Sequence, residues 1–262
     1  MEQLLQIEHV GPVATVWMNR PAVHNAFNED FIAQLTEAFK GLESNNAVRV
    51  VVLAGRGKSF SAGADLSWMK RQGEASVQAN VADAVKLATL FRTIAELNKP
   101  TVARVHGAAL AGGTGLVASC DIAVASERAQ FGVSEVRVGL IPATIGPYVL
   151  RAIGERQATR YFQTAERIDA ARAQALGLVH EVVAEDQLDA KVQEVVTALL
   201  QGAVGAQAAA KDLIRAIAHR PVSDALLQDT AERIAHIRAT PQAKEGLNAF
   251  LEKRPAAWAT KD

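Results

Sequence analysis

A glycine-rich stretch near the middle of the chain limits what this sequence can fold into and what it can do. Residues 101–105 form a β-branched run that predicts a buried strand, and residues 107–115 then consist mostly of glycine and alanine. Glycines let the backbone approach a ligand closely with its N–H groups exposed. Residues 116–120 are apolar and predict the start of a buried helix, whose N-terminal N–H groups favour negative charge. The stretch therefore predicts backbone donors for an oxyanion.

A single carboxylate follows this stretch. Glu135 lies in the segment 131–136, shortly before Gly139 and Pro142. Next to a set of amide donors, one carboxylate would supply the proton carrier of a small active site. Taken singly, a Gly-Gly pair is more often a tight turn and a lone glutamate a solvated acid. The prediction therefore depends on the rest of the chain.

The composition is that of an ordinary globular protein and disfavours several classes of function. Of the 262 residues 49% are hydrophobic and 21% are charged, and 28 basic side chains balance 28 acidic ones, so we expect no nucleic-acid partner. The six histidines are scattered and Cys120 is the only cysteine, so we expect neither a metal site nor an intrachain disulfide. We find no signal-peptide pattern and no membrane-spanning run, and expect a cytoplasmic protein with no membrane partner.

Strand and helix patterns alternate along most of the chain. Strands are predicted at 4–8, 13–18, 48–53, 101–105 and 121–125, with helices after Asn28 and over 81–97. This order predicts an α/β fold with parallel crossovers. Residues 66–81 are polar and predict a mobile connector or lid. Asp169 is expected to cap a helix that ends at Gly177, and the C-terminal third is expected to be almost all helix.

A second set of small residues follows the strand at 48–53. Residues 62–64, Ala-Gly-Ala, precede a possible helix start at Asp65. The glycines and basic residues before them do not have the spacing of a nucleotide P-loop. We interpret this segment as a second source of oxyanion-hole N–H groups.

These motifs, in their order and spacing, resemble the enoyl-CoA hydratase/isomerase, or crotonase, superfamily over essentially the whole chain. The resemblance is carried by Asn19-Arg20-Pro21 with Asn25-Ala26, by 60–66, by His106-Gly107 with Gly112-Gly113, by Cys120-Asp121, by 129–132 with Glu135, and by Gly139 with Pro142. It implies a crotonase (ClpP/crotonase-like) α/β fold, with a ββα spiral core over residues 1–200 and a helical trimerisation region over 201–262. It also implies a homotrimer, or a hexamer built from two trimers.

The resemblance assigns roles to individual residues. It implies that the backbone N–H groups of Ala64 and Gly112 form an oxyanion hole for a thioester carbonyl, and that Glu135 moves the proton. Coenzyme A would enter only as part of the acyl-CoA substrate, with no other cofactor. The residues implied to contact the substrate are Val23, Ala26, Ala62, Ala64, Asp65, Leu66, Trp68, Gly112 and Ala143, the last as an N–H donor to the catalytic water.

One position departs from the best-known hydratases of that family. They place a second glutamate where this chain has Gly115, and two carboxylates let one activate water while the other handles the α-proton. The isomerase branch keeps only the equivalent of Glu135, which favours double-bond migration. Residues 59–69, 134–140 and 245–254 also resemble bacterial methylglutaconyl-CoA hydratases of leucine degradation, a subgroup in which this position is glycine too.

The expected function is therefore syn addition of water across the 2,3-double bond of an enoyl-CoA, with 3-methylglutaconyl-CoA as the expected substrate. The alternatives are a related short or branched enoyl-CoA, an isomerase that uses Glu135 alone, and an acyl-CoA-binding or RNA-binding protein without catalysis. The acyl group, and the cation that would bind a substrate carboxylate, stay open.

Other residues also allow a structural interpretation. Asp121 is expected to be a hydrogen-bond partner at a helix or strand end, and His106 a packed histidine rather than a base. Trp68 lines the acyl pocket or anchors a lid, two roles that the same aromatic residue can fill. Lys253 and Arg254 meet the coenzyme's phosphates or form a solvated helix end.

Overall fold

A central six-stranded sheet organises residues 3–259, the part of the chain that the computed structural model describes. The strands are β1 (Leu5–Val10), β2 (Val13–Met18), β3 (Val50–Gly55), β4 (Thr101–Val105), β5 (Ala108–Leu110), β6 (Ile122–Ser126), β7 (Gln130–Gly132), β8 (Ile168–Asp169) and β9 (Glu181–Val183). The large sheet has the order β1-β2-β3-β4-β6-β9, and each neighbouring pair after β1–β2 is parallel. A smaller sheet has the order β5-β7-β8. The predicted α/β class with parallel crossovers is confirmed.

Helices cover both faces of the large sheet. They are α1 (Glu29–Ser44), α2 (Leu66–Glu74), α3 (Val77–Glu96), α4 (Gly112–Ser119), α5 (Gly146–Thr164), α6 (Ala170–Leu176), α7 (Leu188–Leu200), α8 (Val204–Ile217), α9 (Asp224–Ala239) and α10 (Pro241–Leu251). Predicted caps are confirmed: Asn28 accepts from the N–H of Phe31 at 2.9 Å, and Asp169 from that of Arg172 at 2.7 Å. Gly177 ends α6 in the left-handed conformation. Across residues 3–259, no helix is both long and apolar enough to cross a membrane.

The β-branched runs are buried on both sides. Val50, Val52 and Val102 pack with α7 on one face of the sheet. Alternate residues on the same strands, such as Val51 and Leu53, enter the main core with α1, α3 and α4. Continuous burial on both faces is typical of a parallel sheet covered by helices. The sheet therefore holds the loops at its strand ends on a rigid base.

Residues 66–81, predicted as a mobile connector or lid, form α2 and the start of α3. The prediction of a connector without helices is therefore wrong, and the lid stays a prediction. Asp65 caps α2 by accepting from the N–H of Ser67 at 2.9 Å, and Ser76 caps α3 by accepting from that of Ala79 at 3.2 Å. Trp68 is the residue of α2 that is buried. A short helix that buries one side chain can keep a mostly polar sequence, and that polar composition led to the prediction of a connector. The helix expected to start near 116 instead begins at Gly112.

The predicted C-terminal helices are confirmed, and they bury little of their own surface. None of the residues of α8 is buried, and α9 and α10 bury one residue each, Leu226 and Ala249. The guanidinium of Arg49 ties this region to the sheet through the carbonyl oxygens of Leu200, Gly202 and Trp258 at 2.7–2.8 Å. The predicted division at 200/201 falls between α7 and α8 and stays a prediction; its residues 1, 2 and 260–262 lie outside the described part.

Candidate active site

Ala64 carries an N–H group that its own chain leaves available. Phe27 and Ala64 form a parallel bridge, in which the N–H of Phe27 donates to Gly63 at 2.7 Å and its carbonyl accepts from Asp65 at 2.8 Å. Because the flanking residues use both polar groups of Phe27, the N–H of Ala64 points to the opposite side. That N–H has no acceptor within residues 3–259, and Ala64 is half-buried. It is therefore a free donor beside the core.

Gly112 supplies a second donor at the first turn of α4. The first N–H groups of a helix have no intrahelical acceptor, and that of Gly112 also finds no other acceptor in the described chain. The preceding residue, Ala111, has φ +47° and ψ −115°, a conformation that costs a non-glycine residue about 1–3 kcal/mol. Its N–H donates to the carbonyl of Gly132 at 2.7 Å. The strained turn starts the helix abruptly, with its first N–H groups uncovered.

The two donor segments lie side by side. The N–H of Ser61 donates to Ala108 at 3.0 Å, and the N–H of Leu110 donates to Ser61 at 2.9 Å. A Cβ atom on Gly112 would lie 2.6 Å from the ring of Phe27, and one on Gly113 would overlap the carbonyl oxygen of Ser61. Only glycine permits this approach at either position. Phe27 thus contacts both segments, and the structure brings Ala64 and Gly112 together as predicted donors.

The segment that carries Glu135 is bonded to the same turn. Gly132, three residues earlier, accepts from Ala111 and donates its N–H to the hydroxyl of Thr114 at 3.2 Å. Glu135 begins a short 3-10 helix, and Oε2 of its carboxylate is buried without a hydrogen-bond partner in the described chain. Burial raises the pKa of Glu135, while hydrogen bonds from its own N–H and that of Ser134 oppose this in part. A buried oxygen without a partner is an acceptor kept open for another molecule.

Apolar side chains fill the space beside Gly115. A Cβ atom there would overlap Cγ2 of Ile145 and lie 3.0 Å from Cε1 of Phe91. Both side chains are fully buried in the core. A second carboxylate therefore has no room at this position without repacking of the wall.

Four other residues predicted to contact the substrate fall into two groups, one packed within the donor framework and one exposed at the surface. Ala26 is buried next to Phe27, and Ala62 donates its N–H to the carbonyl of His24 at 2.9 Å, so both lie within the donor framework. Val23 is exposed in a short 3-10 helix, and Leu66, the first residue of α2, is 82% exposed. Exposed apolar side chains at these places are accessible to a bound molecule.

Ala143 and Trp68 are already engaged by their own chain. The N–H of Ala143 donates to the carbonyl of Ile141 at 2.8 Å, so that bond must open before the group can hold a water. Trp68 is 3% exposed, and its indole N–H donates to Oδ2 of Asp83 on α3 at 3.0 Å. Trp68 thus fastens α2 to α3. Its two predicted roles, lining the acyl pocket or anchoring a lid, stay predictions.

The structural interpretations of Asp121 and His106 are confirmed. Oδ2 of Asp121 accepts from the N–H of Thr101 at 2.8 Å and from Lys211 at 2.6 Å. Nε2 of His106 lies 2.8 Å from the carbonyl oxygen of Gly57, which identifies a packed histidine, and burial lowers its pKa. Arg254 donates to both carboxylate oxygens of Glu245, near the end of α10. Contact of Lys253 and Arg254 with the coenzyme's phosphates stays a prediction.

Arg20 and Asn25, two residues with no predicted role, hold the donor framework together. Asn25 is fully buried, and its amide donates to the carbonyls of Ser59 and Phe60 at 2.9 and 3.1 Å. Its Oδ1 accepts from the N–H of Arg20 at 2.8 Å. Both residues lie in loops, where hydrophobic periodicity carries no signal. Only their place in the Asn-Arg-Pro and Asn-Ala motifs marks them.

Comparisons with known proteins give consistent results over nearly the whole chain. Residues 8–261 match the family described as Enoyl-CoA hydratase/isomerase. A crystal structure of an enoyl-CoA hydratase from Shewanella pealeana is similar, with a TM-score of 0.95 and 42% identity, over 97% of this chain and 96% of that one. The chain is 34% identical to the short-chain-enoyl-CoA hydratase of Clostridium acetobutylicum, over 95% of its own length and 94% of that protein's. It is 33% identical to the crotonyl-CoA hydratase of Syntrophomonas wolfei, over 97% of each. These likenesses confirm the predicted fold.

Proposed function

The chain belongs to the enoyl-CoA hydratase/isomerase family, and we propose from this membership and the site's geometry that it is an enoyl-CoA hydratase. One observation carries the proposal: Oε2 of Glu135 is buried without a partner, on a segment bonded to the turn that exposes the Gly112 N–H. The N–H of Ala64 lies beside that turn. One acid/base group and two oxyanion donors are what addition of water to an α,β-unsaturated thioester requires.

In the first step the site stabilises an enolate. The thioester carbonyl oxygen accepts hydrogen bonds from the N–H groups of Ala64 and Gly112. Ionised Glu135 takes a proton from water while the water oxygen bonds to C3, and the electron pair of the double bond moves through C2 onto the thioester oxygen. Negative charge thus develops where two fixed donors point, and loss of one such donor costs about 3–4 kcal/mol in other enzymes.

In the second step the same carboxyl returns the proton. Glu135 passes it to C2 as the enolate collapses, so one water has been added and the carboxylate is regenerated. Hydrogen and hydroxyl come from one side of the substrate, which makes the addition syn. The raised pKa of Glu135 suits a group that must first take a proton and then release it. The apolar wall of Ile145 and Phe91 beside Gly115 supports this route with a single carboxylate.

The proposed substrate is 3-methylglutaconyl-CoA, on the resemblance of residues 59–69, 134–140 and 245–254. Two relatives are named for short-chain enoyl-CoA and crotonyl-CoA hydration, so crotonyl-CoA is the matched alternative. The test compares kcat/KM for the two thioesters. The reaction is monitored by the loss of absorbance of the conjugated enoyl thioester. A larger value for 3-methylglutaconyl-CoA supports the proposal. A larger value for crotonyl-CoA assigns a short-chain substrate instead.

A second candidate is an enoyl-CoA isomerase, which Gly115 favours because it leaves one carboxylate in the site. Such an enzyme would move the proton between two carbons of a 3-enoyl-CoA through Glu135, without adding water. Proton NMR of a 3-enoyl-CoA incubated with the protein separates the two reactions, since migration gives a 2-enoyl product with no hydroxyl. Acyl-CoA binding without any turnover would identify a binding protein.

The proposal includes a cytoplasmic homotrimer, or a hexamer made of two trimers. Helices α8–α10 leave large apolar side chains exposed, among them Ile214, Leu247 and Phe250. An apolar cavity of about 880 Å³ lies between α8, α9 and α10, lined by Ile234 and Leu247 among others. A surface of this kind on a single chain is suited to contact with further copies.

A further inference from the structure

We propose that Arg20 is a positioning residue for the oxyanion hole, because its guanidinium fastens the two segments whose pairing directs the N–H of Ala64. The inference rests on the proposed function, since the direction of that N–H matters when the site binds a thioester. It goes further by assigning a role to a residue that touches neither the acyl group nor the proton.

The guanidinium spans the bridge between Phe27 and Ala64. Nη1 of Arg20 donates to the carbonyl oxygen of Ala26, and Nη2 donates to Oδ2 of Asp65 at 3.3 Å. Ala26 precedes Phe27, and Asp65 follows Ala64. The guanidinium therefore bonds to the residue before Phe27 on one segment and to the residue after Ala64 on the other. We call this pair of contacts the Arg20 clamp, and the side chain of Arg20 is 13% exposed.

The base of this clamp is rigid. The N–H of Arg20 donates to Oδ1 of Asn25 at 2.8 Å, and the N–H of Asn25 donates back to the carbonyl of Arg20 at 2.9 Å. Asn25 is fully buried and bonded to the segment 56–60. The guanidinium thus starts from a fixed backbone, and its planar fork reaches two acceptors at once, which a lysine ammonium cannot reproduce.

Asp65 divides its two oxygens between two tasks. Oδ1 accepts from the N–H of Ser67 at 2.9 Å and caps α2, whereas Oδ2 faces Arg20. Loss of Arg20 therefore leaves the helix cap in place and releases the clamp. Because the N–H of Ala64 makes no bond of its own, its direction depends on the positions of Gly63 and Asp65 in the bridge.

The direct readout is the carbonyl stretching frequency of a bound thioester labelled with ¹³C at C1. Hydrogen bonds from the hole lower this frequency relative to the free thioester. We expect Arg20→Gln to reduce that shift at saturating ligand and to lower kcat about 10- to 100-fold, the effect of a small misplacement of a reacting group. Arg20→Lys should fall between the Gln variant and the wild type.

Arg71→Gln is the matched control. Arg71 donates to both carboxylate oxygens of Glu29 at 2.8 and 2.9 Å and so ties α2 to α1, but it makes no contact with the bridge. It should keep the wild-type kcat and carbonyl shift. A similar loss in both variants would assign the effect to α2 in general and overturn the inference.

A second variant separates a folding defect from a loss of the guanidinium contacts. If Arg20→Gln does not fold by circular dichroism, Asp65→Asn tests the same clamp, since its side-chain oxygen keeps the cap and its amide cannot accept from Arg20. A wild-type shift and wild-type kcat in the folded variant overturn the inference alone. A wild-type protein that shows neither a carbonyl shift nor turnover of any enoyl-CoA overturns the proposed function and this inference together.

Discussion

A Cβ atom on Gly115 would overlap Cγ2 of Ile145 and lie 2.9 Å from its Cβ, so the wall of the site is closed where a second carboxylate could act. Ile145 is 1% exposed and is backed by Phe91, which is fully buried. This packing agrees with the proposal that Glu135 alone carries the proton. Because of this contact, even a methyl group at position 115 should disturb the packing of α4 against α5.

Gly115→Ala should therefore destabilise the protein by about 1–3 kcal/mol, the usual cost of overpacking a core. Gly41→Ala on the exposed face of α1, where a Cβ atom meets nothing within 4 Å, should instead stabilise it by about 0.5–1 kcal/mol. Urea unfolding measures both. Combining Gly115→Ala with Ile145→Ala should give less destabilisation than the sum of the single variants. Equal changes in the free energy of unfolding for Gly115→Ala and Gly41→Ala would contradict close packing beside Gly115.

Glu135→Gln should stabilise the protein at neutral pH. Burial raises the pKa of this carboxyl above 4.5 in the folded state. Ionisation of Glu135 is therefore less favourable in the folded protein than in the unfolded chain. Wild-type stability should then fall as pH rises from about 4.5 through the raised value, because the buried group must ionise. The neutral amide carries no such loss. Denaturation midpoints of the two proteins should converge below pH 4.5 and separate above it; a constant difference across this range speaks against a buried, titrating Glu135.

The same pKa should set the acid limb of the activity profile. Glu135 must be ionised to take a proton from water, so kcat/KM for hydration should rise with pH through the raised pKa. The limb should lie above 4.5, the ordinary value for a glutamate. Initial rates between pH 4 and 9, with the folded fraction checked at each pH, measure it. A limb at or below the ordinary value would show that another group limits the reaction.

Gly113→Ala should disrupt the oxyanion hole. Its Cβ would overlap the backbone oxygen of Ser61 and push the two donor segments apart. We expect kcat to fall about 100- to 1,000-fold, as when one oxyanion donor is lost. Gly73→Ala in α2, where a Cβ has open space, is the control and should keep its activity. Unchanged kcat in a folded Gly113→Ala protein would mean that the segments need not touch.

Assembly should depend on the apolar surface of α8–α10. Leu247→Glu places a charge in the cavity between these helices and should lower the mass from a multiple of 27.9 kDa toward one chain. Val10→Glu, at an exposed apolar residue at the end of β1, should leave the mass unchanged. Sedimentation equilibrium compares the variants. A wild-type protein that sediments as a single chain would contradict the proposed trimer.

Local chemistry made much of the fold predictable. Asn28, Asp169 and Gly177 mark helix ends through bonds to residues a few positions away, and the β-branched runs report burial on both faces of a parallel sheet. Helix α2 was missed because its sequence is mostly polar and buries one residue, Trp68. The predicted helix ends and strands thus depend on interactions that lie within a short stretch of sequence.

The site was predictable only in its donors and its carboxylate, and through resemblance to a family. The contacts that shape it join residues distant in sequence, as Arg20 joins Asp65 and Ile145 meets Gly115. Spacing within the sequence carries no signal for such pairs. Which atoms of Ala143 and Trp68 are already bonded also depends on the folded backbone.

Incubation of the enzyme with an enoyl-CoA in ¹⁸O-labelled water tests the central claim most directly, with wild type and Glu135→Gln run side by side and the product analysed by mass spectrometry. We predict one ¹⁸O at C3 of the product with the wild type, from 3-methylglutaconyl-CoA or from crotonyl-CoA, and loss of this label with the Gln variant. A folded wild-type protein that takes up no label from either thioester would contradict hydration of these substrates. Undiminished label in the Gln variant would contradict the role of Glu135.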